Sequence, residues 1–162
     1  MKRLINERAD SMANEHEVFM KRAIDLAIEA RREGNSPFGS VLVKNGEIVA
    51  EGKNEIHTRC DPTHHAEIGL IRDYCSAHHV SDLSSYTLYT SCEPCVMCAG
   101  AMVWARLGTM VYSISNQQLS EIEGGKIMIP SADVFEKSHW QPEVTAKILN
   151  VDGLRVFEGF SK

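Results

Sequence analysis

Two short motifs constrain this chain most: His65-Ala66-Glu67 and, after an interval of 26 residues, Pro94-Cys95-Val96-Met97-Cys98. Cys95 and Cys98 stand three apart, which on a helix puts both sulfurs on one side of the first turn, where they can share one ion. With His65 as the third ligand, the starts of two helices must meet at a single point. Three protein ligands leave the fourth position of a tetrahedral zinc to water, which marks a catalytic site, whereas structural sites usually close with four. The positive end of a helix dipole favours thiolates over thiols, and bound zinc lowers the pKa of its water towards about 7. Glu67, two residues from His65, is too close in chain to be a comfortable second ligand but is well placed to move protons. One zinc per chain, with Glu67 as proton carrier, equips hydrolytic deamination of a cyclic amidine: water adds at the amino-bearing carbon and ammonia leaves.

The bland alternatives are real. A Cys-x-x-Cys pair alone is often a structural zinc knuckle or a thiol pair, and His-x-Glu is common by chance. Their combination, with Pro94 before the first cysteine and no fourth ligand in matching register, favours the catalytic reading. His64 is the rival ligand, and its use would change the reach of the carboxylate. Cys60, Cys75 and Cys92 read as small, buried or half-buried thiols.

Periodicity supplies the frame. Asn14-Glu15-His16-Glu17 reads as a capping box opening a helix that carries Phe19, Ala23, Leu26, Ala27 and Ala30 on one face and closes at Gly34. Residues 1–13 read as a loosely held arm. Ser40 to Lys44 and Glu47 to Lys53 read as strands joined by Asn45-Gly46, a pair suited to a type I′ turn. The turn Asp61-Pro62-Thr63 precedes a second helix from near His65. A strand from Tyr86 to Thr90, a helix from Glu93 to Trp104 begun by Pro94, and a strand from Thr109 to Ile114 then imply a right-handed parallel crossover. Beyond Ser115 the pattern weakens: Gly124-Gly125 breaks the chain, Ser131 to Lys137 reads as a short helix, and Lys147 to Val151 as a last strand.

At 162 residues the chain fits one domain with a sizeable core. No run of about 18 apolar residues is present to span a membrane, and the start lacks the apolar region of a leader, so a cytoplasmic protein is expected. The formal charge is −5, from 17 basic and 22 acidic residues, and no segment forms a basic stripe. Polyanion affinity comes largely from Lys and Arg, so this balance argues against a large nucleic-acid footprint, and a small nucleobase or nucleoside is the favoured substrate class.

These motifs resemble the cytidine deaminase superfamily, whose signature is His-x-Glu with Pro-Cys-x-x-Cys. The resemblance covers about residues 14–120. Asn35-Ser36-Pro37-Phe38-Gly39, Glu51-Gly52-Lys53-Asn54, Asp61-Pro62-Thr63 and Thr90-Ser91-Cys92-Glu93-Pro94 are most similar to the branch of guanine deaminases and tRNA adenosine deaminases. It implies an α/β fold of three α/β/α layers with a five-stranded mixed sheet, zinc at two helix ends, and usually a homodimer. By position it implies His65, Cys95 and Cys98 as zinc ligands and Glu67 as the catalytic proton shuttle. For substrate binding it implies Asn54 and Phe38, with Trp104 and Ala66 as further candidates. Core residues 14–120 would carry the chemistry and residues 121–162 would cover the substrate.

Within the branch, Trp104-Ala105-Arg106 is similar to the guanine deaminases, and Cys95 to Met102 fits the tRNA-editing enzymes equally. The acidic balance favours a free base, guanine first. Residues 116–130 depart from the guanine deaminase pattern, where a second acid is expected. Glu121, Glu123 and Asp133 are candidates, each otherwise a solvated loop residue. Cytosine, isocytosine or an aminotriazine therefore stays open as substrate, as does tRNA adenosine. A zinc-stabilised binding module without activity is the reading from another class. Phe157 and Phe160 are candidate lid aromatics, with packing into the domain's own core as the alternative, and the carboxy-terminal segment could cross to a partner subunit.

Overall fold

The computed structural model describes the backbone of residues 2–124, 127 and 129–160, and side chains within that set from Glu15 onward. Its first helix, α1, spans Lys2–Arg32. Asn14 therefore lies inside a helix and does not cap one. The reason is in the sequence: neither glycine nor proline occurs before Gly34, so nothing stops the helix from starting earlier. Side chains of the expected arm, residues 1–13, lie outside the described residues. The other end closes as expected, with Gly34 at φ +87, its N–H donating to Arg31 O at 3.1 Å and that of Asn35 to Ala30 O at 2.9 Å. This is the Schellman pattern, which needs a left-handed residue where glycine stands.

Strands β1 (Gly39–Lys44) and β2 (Glu47–Lys53) form the expected hairpin, with Asn45 and Gly46 at φ 53 and 77. Both values are positive, as a type I′ turn requires. Helix α2 (Ala66–His78) leads to β3 (Thr87–Cys92), then α3 (Val96–Trp104) to β4 (Thr109–Ile114). With β5 (Glu143–Thr145) at its far edge, the sheet runs β2-β1-β3-β4-β5, antiparallel on the hairpin side and parallel from β3 to β4 to β5. It is a five-stranded mixed sheet, as expected.

Alternation along the strands splits the core into two layers. Val41, Val43, Tyr89, Val111 and Ile114 pack under α1 with Met20, Ala23 and Ala27. Leu42, Leu88 and Met110 face the other way, against Leu70, Ile71, Met102 and Val103 of α2 and α3. Two glycines let the layers close. A Cβ on Gly39 would stand 2.3 Å from Ala23 O, and one on Gly52 would stand 2.5 Å from Ala66 O, so α1 and the start of α2 lie directly on the hairpin.

The last third departs from expectation. Helix α4 (Asn116–Glu123) opens with a capping box in which Ser115 accepts from the Gln118 N–H and the Gln118 side chain accepts from the Ser115 N–H. Helix α5 (Ser131–Glu136) matches the expected short helix. The final strand, β5, is Glu143–Thr145, four residues earlier than expected, and Asn150–Arg155 forms helix α6. Lys147 and Leu149 adopt φ 63 and 49, which breaks any strand there. Phe157 is buried in the α1 layer, its ring 5.8 Å from that of Phe38 and 6.2 Å from that of Phe160. Phe157 is thus a core side chain, and Phe160 packs half-buried against that core. No helix of the described residues is long and apolar enough to cross a membrane.

Candidate metal centre

His65 and Cys95 occupy equivalent places, each the N-cap of its helix with extended backbone (φ −73, ψ 159 and φ −68, ψ 171). Pro94 precedes the cap of α3, so this helix starts later than the expected Glu93. Cys98 falls in the first turn. His65 Nδ1 stands 3.6 Å from Cys95 Sγ and 3.7 Å from Cys98 Sγ, and the ligand atoms of all three residues lie within 4.8 Å of one another. A tetrahedral zinc with ordinary Zn–N and Zn–S lengths puts nitrogen and sulfur about 3.5 Å apart. The residues therefore fit the ion in both chemistry and spacing. The Cys95 thiol is lowered to about 4, first by the hydrogen bond from Cys98, then by His65 and against its burial. Cys98, keeping the shared proton and buried besides, is pushed up. A cationic centre reverses that cost by accepting both sulfurs as thiolates.

Glu67 is buried on the first turn of α2, 5% exposed. Thr90 Oγ1 donates to its Oε1 at 3.0 Å, and its Oε2 accepts from Cys98 Sγ at 3.5 Å. One oxygen is anchored to the sheet and the other faces the ligand atoms. Burial, reinforced by the charge of Cys95, holds this carboxyl above the usual range. A raised proton affinity beside an ion site suits a group that both takes and gives protons.

His64 points elsewhere: Nε2 stands 3.2 Å from Glu55 Oε2 and Nδ1 2.6 Å from Arg72 Nη2, beneath Gly69. It is not part of the ligand cluster. Asn54 is buried at the end of β2, its N–H donating to Phe38 O at 2.9 Å and its Oδ1 accepting from the Ile56 N–H at 3.2 Å. The next residue, Glu55, donates its N–H to His64 O at 3.1 Å, which brings this turn to the chain entering α2. Phe38 is half-buried, and Ala66 is fully buried under Gly52.

Trp104 is not brought to this cluster. It ends α3, the end opposite Cys95 and about 13 Å away at 1.5 Å per residue, and is 80% exposed. Its ring borders an apolar groove between α2 and α3, with Ile68, Ile71, Val96 and Met97. Of the acidic candidates, Glu121 and Asp133 are exposed, whereas Glu123 is half-buried and its charge reaches the Cys92 thiol, as do those of Glu67 and Glu93. Two contributors carried no assigned role in the sequence reading. Thr90 had one signal, a polar residue in an otherwise apolar strand. Glu93 had another, an acid directly before the Pro-Cys pair.

Residues 13–114 match the family model described as the cytidine and deoxycytidylate deaminase zinc-binding region, and the chain belongs to that family. A guanine deaminase of Bacillus subtilis (strain 168) is 47% identical over 107 residues, 65% of this chain and 69% of that protein. A tRNA-specific adenosine deaminase of Aquifex aeolicus (strain VF5) is 34% identical over 113 residues, 70% of this chain and 72% of that protein. The solved guanine deaminase from Nitrosomonas europaea superposes with a TM-score of 0.76 at 22% identity, covering 88% of this chain and 82% of that one, a likeness of fold.

Proposed function

We propose that this family member hydrolytically deaminates a nucleobase, guanine first, releasing xanthine and ammonia. The observation that carries the reading is the buried Glu67 carboxylate, anchored by Thr90 and aimed at the joint of His65, Cys95 and Cys98. Zinc held by those three residues supplies Lewis acidity and a water of lowered pKa. Glu67 takes a proton from the attacking water and delivers it to a ring nitrogen, then takes the second proton from the hydroxyl added at the carbon and delivers it to the departing amine. Asn54 and Phe38 bind the ring, and Ala66 closes the wall beside it. Glu123 is the second acid, supported by its being the half-buried one of the three acidic candidates.

Guanine is favoured over RNA by the B. subtilis relative and by a net charge of −5, which offers little to a phosphate backbone. The enzyme is a single domain in which residues 121–162 cover the substrate. It works as a cytoplasmic homodimer with one zinc per chain, its five free cysteines suiting a reducing compartment and the apolar α2–α3 groove with Trp104 suiting a second copy.

The test is ammonia release by zinc-loaded protein from a panel of free bases, nucleosides and aminotriazines, with Glu67→Gln as the blank. Turnover of guanine and not guanosine is expected. Cytosine or aminotriazine turnover alone would replace the substrate. The second reading, tRNA adenosine deamination, is favoured by the A. aeolicus relative. Inosine formation in tRNA retained at about 0.15 M salt, with silence across the small-molecule panel, would establish it instead.

A further inference from the structure

Glu93 has no part in ligand binding or proton transfer as derived above, yet it is one of the most heavily engaged carboxylates in the molecule. It is 8% exposed and stands two residues before Cys95. Its Oε2 accepts from the Asn116 N–H at 2.9 Å, and its Oε1 accepts from both the Ser131 N–H at 2.9 Å and the Ser131 hydroxyl at 2.7 Å. Asn116 and Ser131 are the first residues of α4 and α5. The same turn is fastened twice more, by the Glu93 N–H on Ile114 O at 2.8 Å and by Asn116 Nδ2 on Pro94 O at 3.3 Å. A single side chain thus joins the metal-ligand turn to the starts of two helices that sequence separation alone would leave independent.

These helices need such a joint. No residue of α4 is buried, and α5 buries only Ser131 and Phe135. Apolar packing therefore does little to fix where α4 and its Glu123 lie relative to Cys95. Charge-assisted hydrogen bonds to backbone N–H groups at helix starts are short, directional and strengthened by the helix dipole.

We propose that Glu93 is a positioning residue for the reaction, clamping the segment that carries Glu123 to the ligand turn through the Asn116 and Ser131 amides. The inference rests on the deaminase reading for its consequence in turnover, but the clamp itself can be read without substrate. Glutamine is the informative replacement: it keeps the size and one acceptor oxygen, and turns an NH₂ towards donors that need an acceptor.

The experiment compares zinc-loaded wild type, Glu93→Gln and Asn116→Pro. Proline at the first helical residue keeps a helix start while removing the one N–H that Oε2 holds, together with the Asn116 Nδ2 bond to Pro94 O, and the extended Ser115 (φ −84, ψ 158) accepts a following proline. This variant guards against an unfolded Glu93→Gln. Hydrogen exchange is expected to speed up across 116–123 and 131–136 in Glu93→Gln, with α1 and β1 unchanged and zinc retained. With guanine, kcat is expected to fall roughly 10- to 100-fold, as for outer-shell partners of metal sites, with KM little altered. Asn116→Pro should show a smaller fall and loosening confined to α4. The clamp is overturned if both variants keep wild-type exchange in those segments, or if exchange rises equally throughout. Its positioning role is overturned if the segments loosen while kcat holds. A wild type inactive on the whole panel would instead sink the deaminase reading, and exchange would still decide the clamp.

Discussion

Helices α2 and α3 lay Leu70, Ile71, Ala99, Met102 and Val103 into the core, whereas α4 buries nothing and α6 buries only Gly153. The first pair is held by apolar area, which resists displacement in every direction. Beyond β4, where Phe135, Val156 and Phe157 and the pairing of β5 reach the core, the rest of the segment is held by single side chains on backbone groups: Glu93 on Asn116 and Ser131, Asn150 Nδ2 on Ser113 O at 2.8 Å, Trp140 Nε1 on Leu107 O at 2.8 Å, and Arg31 Nη1 on Val156 O at 2.6 Å. Each neutral bond of this kind contributes about 0.5–1.5 kcal/mol net and each charged one about 1.5–3 kcal/mol, against several for a packed helix face. The ligand atoms thus sit on the stiff part, and the segment after β4 is the part that can yield locally.

The strongest test of that division is Glu67→Gln, the change expected to matter most to turnover and least to architecture. Activity should fall at least 10²- to 10⁴-fold, as for loss of a general acid–base group, while metal analysis still finds zinc. Turnover within a few-fold of wild type would end the role given to Glu67. Gly52→Ala probes the stiffness itself. Its methyl would meet Ala66 O at 2.5 Å and Leu70 Cβ at 2.7 Å, so α2 must lift from the hairpin. A loss of about 1–3 kcal/mol in denaturant unfolding, with weakened zinc retention, is expected. An unchanged midpoint would mean that α2 is as yielding as α4.

Asn150→Ala cuts the yielding side, removing bonds to Ser113 O and to the Gln118 amide at 3.0 Å. About 1–2 kcal/mol of local stability should go, read as faster exchange in α4 and α6 with zinc content intact. A global loss would erase the contrast between the regions. The smallest effect belongs to the exposed edge. Hydrogen bonds from Arg22, opposed by partial burial, hold the Glu51 carboxyl below its ordinary 4.5. A depressed folded pKa stabilises above the unfolded value and is lost as pH falls through the folded one. Glu51→Gln should therefore lower stability at pH 7 by less than about 1 kcal/mol, since the pair is largely solvated, and the difference should vanish at acid pH. A pH-independent difference would point to packing instead.

Legibility in the sequence follows the same division. The hairpin, the extent of β4 and the starts of α2 and α3 are set by turn residues and periodicity within a few positions, and the structure has them within three residues. The gathering of His65, Cys95 and Cys98 was legible too, because each opens or follows a helix start. Trp104 lies at the far end of α3 from the ligand cluster, and motif similarity says nothing of which end of that helix meets it. The strand expected at Lys147 to Val151 failed because its apolar run answers to contacts from distant residues, Ser113 Oγ donating to Leu149 O and Tyr112 O accepting from the Ile148 N–H among them. The capping box at Ser115 and Gln118 was a local signal overlooked, whereas the false one at Asn14 was a local signal overridden by an uninterrupted helix.

By itself the sequence determined the ligand set, the carboxylate beside it and the α/β frame, since cysteine spacing, capping and strand alternation act over a few residues. The tertiary structure alone decided which oxygen of Glu67 meets Thr90, that His64 turns away to Glu55, and that Glu93 gathers α4 and α5. Those are pairings between residues from 9 to 38 positions apart, chosen by burial and hydrogen-bond direction once the sheet has formed.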